Sequence, residues 1–174
     1  MIALINASPL IYLGKIGAIN LLPQLFSKCI TTKQVRLEVL KQKDAPEYII
    51  LEESFTKWLT IEELSNKNII NKLEQLFLHS GEASIIALAK ALQEKGKSKI
   101  LVIDDLAARE IARTLDLKIT GSLGIILKAL KTGLIDKAKS KKLLKSLVNE
   151  TSFRISTTLY IKILEEIDAI DMQK

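Results

Sequence analysis

Two apolar runs in this chain end in side-chain oxygens. Ile2 to Ile5 leads into Asn6-Ala7-Ser8-Pro9-Leu10, and Ile100 to Ile103 leads into Asp104-Asp105. As buried parallel strands, these runs would present an amide, a hydroxyl and two carboxylates along one sheet edge. Ligands and metals collect at that edge in open parallel sheets. Glu38 and Glu82 add carboxylates from segments with helical pattern. Oxygen donors of this kind suit hard cations such as Mg²⁺ and Mn²⁺. An acidic cluster in a basic chain is the arrangement of a metal-dependent nuclease, with acids for the cation and lysines for the phosphates.

Each residue also has a structural role open to it. Asp104 is a good helix N-cap. Glu82 in a first helical turn is favoured by the macrodipole. Glu38 fits an exposed helix charge, and Asn6 can close a turn through its side chain. Singly, these roles suffice. Together, charges at the rim of an apolar core are expected to be paired or to bind metal.

Other chemistries are pruned. His79 is the single histidine, so a two-histidine ribonuclease is excluded, and any Ser-His-Asp set would have to use it. It reads as a surface residue and is given no role. No serine lies in G-x-S-x-G, and neither a P-loop nor a G-x-G-x-x-G is present. The lone Cys29 forbids an internal disulfide and a thiolate zinc site. It suits a reducing cytosol, so the expected location is cytoplasmic. The N-terminus lacks the basic lead-in and apolar region of a signal peptide. No stretch approaches the roughly 20 apolar residues of a membrane span.

The elements that must position these residues follow from the apolar pattern. Strands are expected over 1–5, 29–31, 58–61, 99–103 and 117–120. Helices are expected over 9–13 with Ser8 as cap, 18–26, 33–41, part of 42–54, 66–78, 83–94, 104–115 with Asp104 as cap, 122–131, 136–149 and 156–167. In helix 66–78, Ile69, Ile70, Leu73, Leu76 and Phe77 should share one side. Strands alternating with helices predict an α/β fold with a mainly parallel sheet covered on both faces. The length fits one domain over 1–174, read as a core over 1–125 and a C-terminal helical extension over 126–174. Net charge is +6, and seven lysines fall between Lys128 and Lys145 against one acid, Asp136. This segment reads as a solvated face or as a patch for nucleic acid.

The chain resembles the PIN-domain family, in an uncharacterised prokaryotic branch related to VapC-type toxins. The resemblance rests on Asn6 to Ile11, Leu13 to Gly17 with Leu21-Leu22, and Val35 to Leu40. Further along it rests on Gly81-Glu82-Ala83 with Ile86 to Ala89, Ile103-Asp104-Asp105 with Ala108-Arg109, and Thr120 to Gly124. Lys131 to Ile135 and Phe153 to Ser156 complete it. It implies a three-layer α/β/α PIN-like fold and metal-assisted hydrolysis of RNA phosphodiester bonds, with one or two Mg²⁺ or Mn²⁺ ions. The family's acids fall on Asn6, Glu38, Glu82 and Asp104, with Asp105 as alternate and Ser8 as a neighbouring hydroxyl. Glu38, Glu82 and Asp104 would be catalytic. Arg109 would pair with an acid or touch phosphate. RNA, an antitoxin-like protein and a second copy of the chain are the implied partners, with no membrane. Asn6 removes one negative charge from the set and should lower metal affinity. The alternative reading is a weak or inactive PIN-like module that binds RNA or an antitoxin-like protein.

Overall fold

The N-terminal apolar run becomes the middle strand of the sheet. The computed structural model describes residues 1–64, 68–94, 96 and 99–170. Strands β1 (Ile2–Ile5), β2 (Lys28–Thr31), β3 (Leu59–Ile61), β4 (Lys99–Val102) and β5 (Ile119–Thr120) pair in the order β3-β2-β1-β4-β5. Every pairing is parallel. The helices are α1 (Ala7–Lys15), α2 (Leu21–Leu25), α3 (Lys33–Val39), α4 (Tyr48–Lys57), α5 (Asn68–Glu74), α6 (Ser80–Gln93), α7 (Leu106–Thr114), α8 (Ser122–Lys131), α9 (Lys137–Asn149) and α10 (Thr157–Ala169). They flank the sheet in a three-layer α/β/α arrangement, as expected. Ala3, Leu4 and Ile5 are buried, as are Leu101 and Val102. Burial on both faces is why these strands read as unbroken apolar runs.

The strand order fixes where a site can form. β1 has β2 on one side and β4 on the other, so the strand order reverses between β1 and β4. A crevice opens at such a point, outside the carboxyl ends. Ile5 aligns with Val102, and the Asn6 N–H donates to the Val102 carbonyl at 3.0 Å. Asn6 and Ile103 therefore leave the sheet side by side. α6 packs against both central strands and against α3. Its residues Gly81 to Ala89 are all buried, and its alanines permit that close approach.

Several boundaries differ from expectation. α1 begins at Ala7 with Asn6 at the N-cap position, not Ser8. Pro9 is still in the first turn, where its missing N–H costs nothing. The cap of α7 is Asp105, not Asp104. Asp105 Oδ1 accepts the Ala108 N–H at 2.8 Å. The expected start of a helix at Asn66 lies outside the described residues. The chain leaves α5 after Glu74, and Phe77 takes φ +63°. Leu76 and Phe77 consequently face solvent, as does Ile69, and Leu73 is the buried residue of this group.

The C-terminal helices build a second apolar cluster from Leu130, Leu144, Ile163 and Ile167. α8 joins it to the main core, because Ile125, Ile126 and Ala129 belong to that core. No helix among the described residues is long and apolar enough to cross a membrane.

Candidate functional site

A cleft of about 830 Å³ opens at the carboxyl edge of the sheet. Ser8, Glu38, Glu82, Asp104, Asp105 and Arg109 all line it. Four stretches far apart in sequence thus deliver their polar groups to one place: the start of α1, the last turn of α3, the first turn of α6, and the loop after β4 with the first turn of α7. Asn6 is not among the lining residues. It is 2% exposed, and its Oδ1 has no hydrogen-bond partner. A buried amide oxygen left unpaired is costly.

Glu82, Asp104 and Asp105 are each held by a backbone N–H. Glu82 Oε2 accepts the His79 N–H at 3.0 Å, which closes the N-terminus of α6. Asp104 Oδ1 accepts the Ser122 N–H at 2.8 Å, and the Ser122 hydroxyl donates to Oδ2 at 2.5 Å. Asp104 therefore clamps the end of β4 to the start of α8. Arg109 Nη1 donates to the Ile103 carbonyl at 2.8 Å and places its charge beside Asp104. Two glycines leave room for the acids. A Cβ at Gly81 would lie 2.6 Å from Glu38 Oε2, and one at Gly121 would meet Asp104 Oδ1 and Arg109 Nη1.

The acids also act on one another. Burial pushes the Glu82 carboxyl above the usual range. The His79 backbone bond opposes this, and the charges of Asp105 and Glu38 add to it. Glu38 is exposed overall, yet desolvation within the cleft still raises its carboxyl, while His79 and Lys41 pull it down. Burial raises Asp104 as well, against the bonds from Ser122 and the nearby Arg109. Glu82 is the acid that feels two other carboxylates, which makes it the electrostatic centre of the cluster.

Among the described residues, no three His, Cys, Asp or Glu side chains close into a ready cage for a metal ion. The donor set nevertheless fits a hard cation. It offers carboxylates whose crowding a cation would relieve and an orphaned amide oxygen at the sheet edge. Mg²⁺ keeps several waters and needs only one or two carboxylates.

Sequence reasoning missed parts of this site. His79, given no role, lines the cleft and supplies the N–H that orients Glu82. Ser122 was unremarked as the partner of Asp104. A glycine and serine directly after a short strand were its only signal. Tyr12, Arg113, Phe153 and Arg154 also line the cleft; Phe153 and Arg154 fall in a stretch that carries the resemblance but were given no site role, and nothing in local spacing marks Tyr12 or Arg113.

Fold and cleft together define a class: a parallel-sheet α/β/α domain with acids gathered where its strand order reverses. A family model described as a PIN domain matches residues 2–169, and the chain belongs to the PIN-domain family. Its fold is nuclease-like, and proteins of this family generally use divalent metal ions. No curated protein and no solved structure matches the chain.

Proposed function

We propose that this PIN-domain protein is a nuclease that hydrolyses RNA phosphodiester bonds with a divalent cation, Mg²⁺ or Mn²⁺. The observation that carries the reading is the convergence of Glu38, Glu82, Asp104 and Asp105 on one cleft. Glu82 and Asp105 would hold the cation, with Glu38 and the Asn6 amide completing the oxygen set. Bound there, the cation would stabilise charge on the phosphate and favour in-line attack by water. Asp104 keeps the β4 end and the α8 start together, and Ser8 offers a hydroxyl to the strand.

Cleavage of a labelled RNA with Mg²⁺, Mn²⁺ or EDTA tests this. EDTA-sensitive cutting that disappears in Glu82→Ala and Asp105→Ala supports the enzyme. Cutting that survives both substitutions contradicts it.

A second reading also has an observation behind it. Glu82, Asp104 and Asp105 each already accept a backbone N–H, and Asn6 replaces the expected first acid. Both features favour a weak site or a binding module. Salt-dependent RNA binding without cutting under either cation selects this reading.

The biological setting in the nuclease reading is the toxin of a toxin–antitoxin pair, opposed by a small protein partner. Growth arrest on expression, relieved by Glu82→Ala, is the expected result. Harmless expression of an RNA-cleaving protein removes the toxin role. A homodimer belongs to the same reading, and light scattering at the monomer mass removes it.

A further inference from the structure

The cleft continues beyond the carboxylates. Its far wall is built from α8 and from residues 152–155, the stretch that joins α9 to α10. Three arginines line the cleft: Arg109 and Arg113 from α7, and Arg154 from the 152–155 stretch. Two are engaged. Arg109 holds the Ile103 carbonyl beside Asp104, and Arg113 pairs with Glu110. Arg154 is exposed and bonds to the carbonyl of its neighbour Phe153 at 3.2 Å. Among the described residues it pairs with no carboxylate.

The stretch that presents Arg154 is anchored on both sides. Thr151 Oγ1 donates to the Leu147 carbonyl at 2.6 Å and accepts the Phe153 N–H at 3.0 Å. Ser152 Oγ and the Tyr12 hydroxyl share a hydrogen bond at 3.2 Å, which ties the stretch to α1. The Phe153 ring meets Tyr12 edge to face with centroids 5.9 Å apart. Ser156 then caps α10 through the Leu159 N–H. A planar guanidinium on a fixed backbone loses little freedom when it grips a phosphate.

We propose that Arg154 binds a backbone phosphate of the RNA strand outside the one that is cut. The proposal rests on the nuclease reading of the cleft. An acidic floor repels a polyanion, so a positive charge on the wall favours a strand that crosses it. Arg154 supplies that charge, and the C-terminal helices become part of the substrate site through it.

The test is anisotropy of a single-stranded RNA oligonucleotide in EDTA across a salt series. The proteins are wild type, Arg154→Ala, Arg154→Lys and the surface control Lys139→Ala, each checked for an unchanged melting curve. Arg154→Ala should weaken binding roughly tenfold and lower the salt slope by about 0.7. Arg154→Lys should keep the slope and recover part of the affinity. Lys139→Ala should change binding less than Arg154→Ala does. An Arg154→Ala protein with wild-type affinity and slope overturns the proposal, even where wild type cleaves RNA and the nuclease reading stands. Arg154-dependent binding with no cleavage under Mg²⁺ or Mn²⁺ keeps the phosphate site and removes the nuclease. Binding of an acidic peptide but not of RNA overturns it in favour of a protein partner.

Discussion

Two glycines set how much room the carboxylates have, and they differ in consequence. A Cβ at Gly81 meets the far end of the Glu38 side chain, which can swing away. A Cβ at Gly121 meets Asp104, which Ser122 holds, and the Ile103 carbonyl 3.3 Å off. Gly81→Ala should therefore leave the melting temperature nearly unchanged while weakening Mn²⁺ binding. Gly121→Ala should cost about 1–3 kcal/mol of stability, as overpacking of a fixed site does. Equal melting temperatures for the two variants contradict this. The raised carboxyls of Glu38, Glu82 and Asp104 give a pH dependence of definite sign. The folded state holds these protons to higher pH than the unfolded chain does. Their contribution to stability is full below the ordinary carboxylate range and is lost as pH rises through the raised values. Thermal melts between about pH 4 and pH 7 should show that loss, less of it in Glu82→Gln, and recovery on adding Mn²⁺. A Glu82→Gln slope equal to the wild type contradicts it. Six of the seven candidate residues line the cleft; Ser8, Glu82, Asp104 and Asp105 stand out as polar groups directly after apolar runs or at the start of an apolar helix, whereas Glu38 carries no such mark and Arg109 rested on the family resemblance. Asn6 was legible as a strand end, but not as a buried oxygen without a partner. The roles of Asp104 and Asp105 were inverted for capping, since one residue of register cannot be read from two adjacent aspartates.

At the scale of elements, the site depends on how α3 and α6 meet. Thr32 caps α3 through the Val35 N–H, and its hydroxyl lies 2.7 Å from Ser84 Oγ on α6. Ser84 in turn bonds to the Gly81 carbonyl at 2.8 Å. This buried link fixes the separation between the helix that carries Glu38 and the one that carries Glu82. Ser84→Ala leaves the Thr32 hydroxyl without that partner and should cost about 1–2 kcal/mol in denaturant unfolding. A variant as stable as the wild type contradicts that cost. α6 and β4 were legible because continuous apolar patterning reports burial directly. The end of α5 was not, because Leu76 and Phe77 lie beyond Glu74, where the chain is no longer helical and both face solvent. Periodicity records spacing, and it carries no information on where the chain stops being helical.

At the scale of the whole molecule, α8 makes one unit of two apolar clusters. Cys29 reports on the main cluster, since burial pushes its thiol up to about 12 and keeps it unreactive until the core opens. Leu144 lies in the second cluster, fully buried. Leu144→Ala should cost about 2–5 kcal/mol and speed thiol labelling of Cys29 under mild denaturant. Labelling at the wild-type rate means that the two clusters open separately. The five-stranded parallel order was legible as alternation of strands and helices, but the position of β1 between β2 and β4 was not, and that position is what creates the cleft. The central claim is that the cleft holds a divalent cation on its carboxylates. Calorimetric titration with Mn²⁺ of the wild type, Glu82→Ala, Asp105→Ala and Asn6→Asp tests it most directly. Weak binding in the wild type, lost in Glu82→Ala and Asp105→Ala and strengthened in Asn6→Asp, is the predicted result; indistinguishable heats for all four proteins would contradict the account.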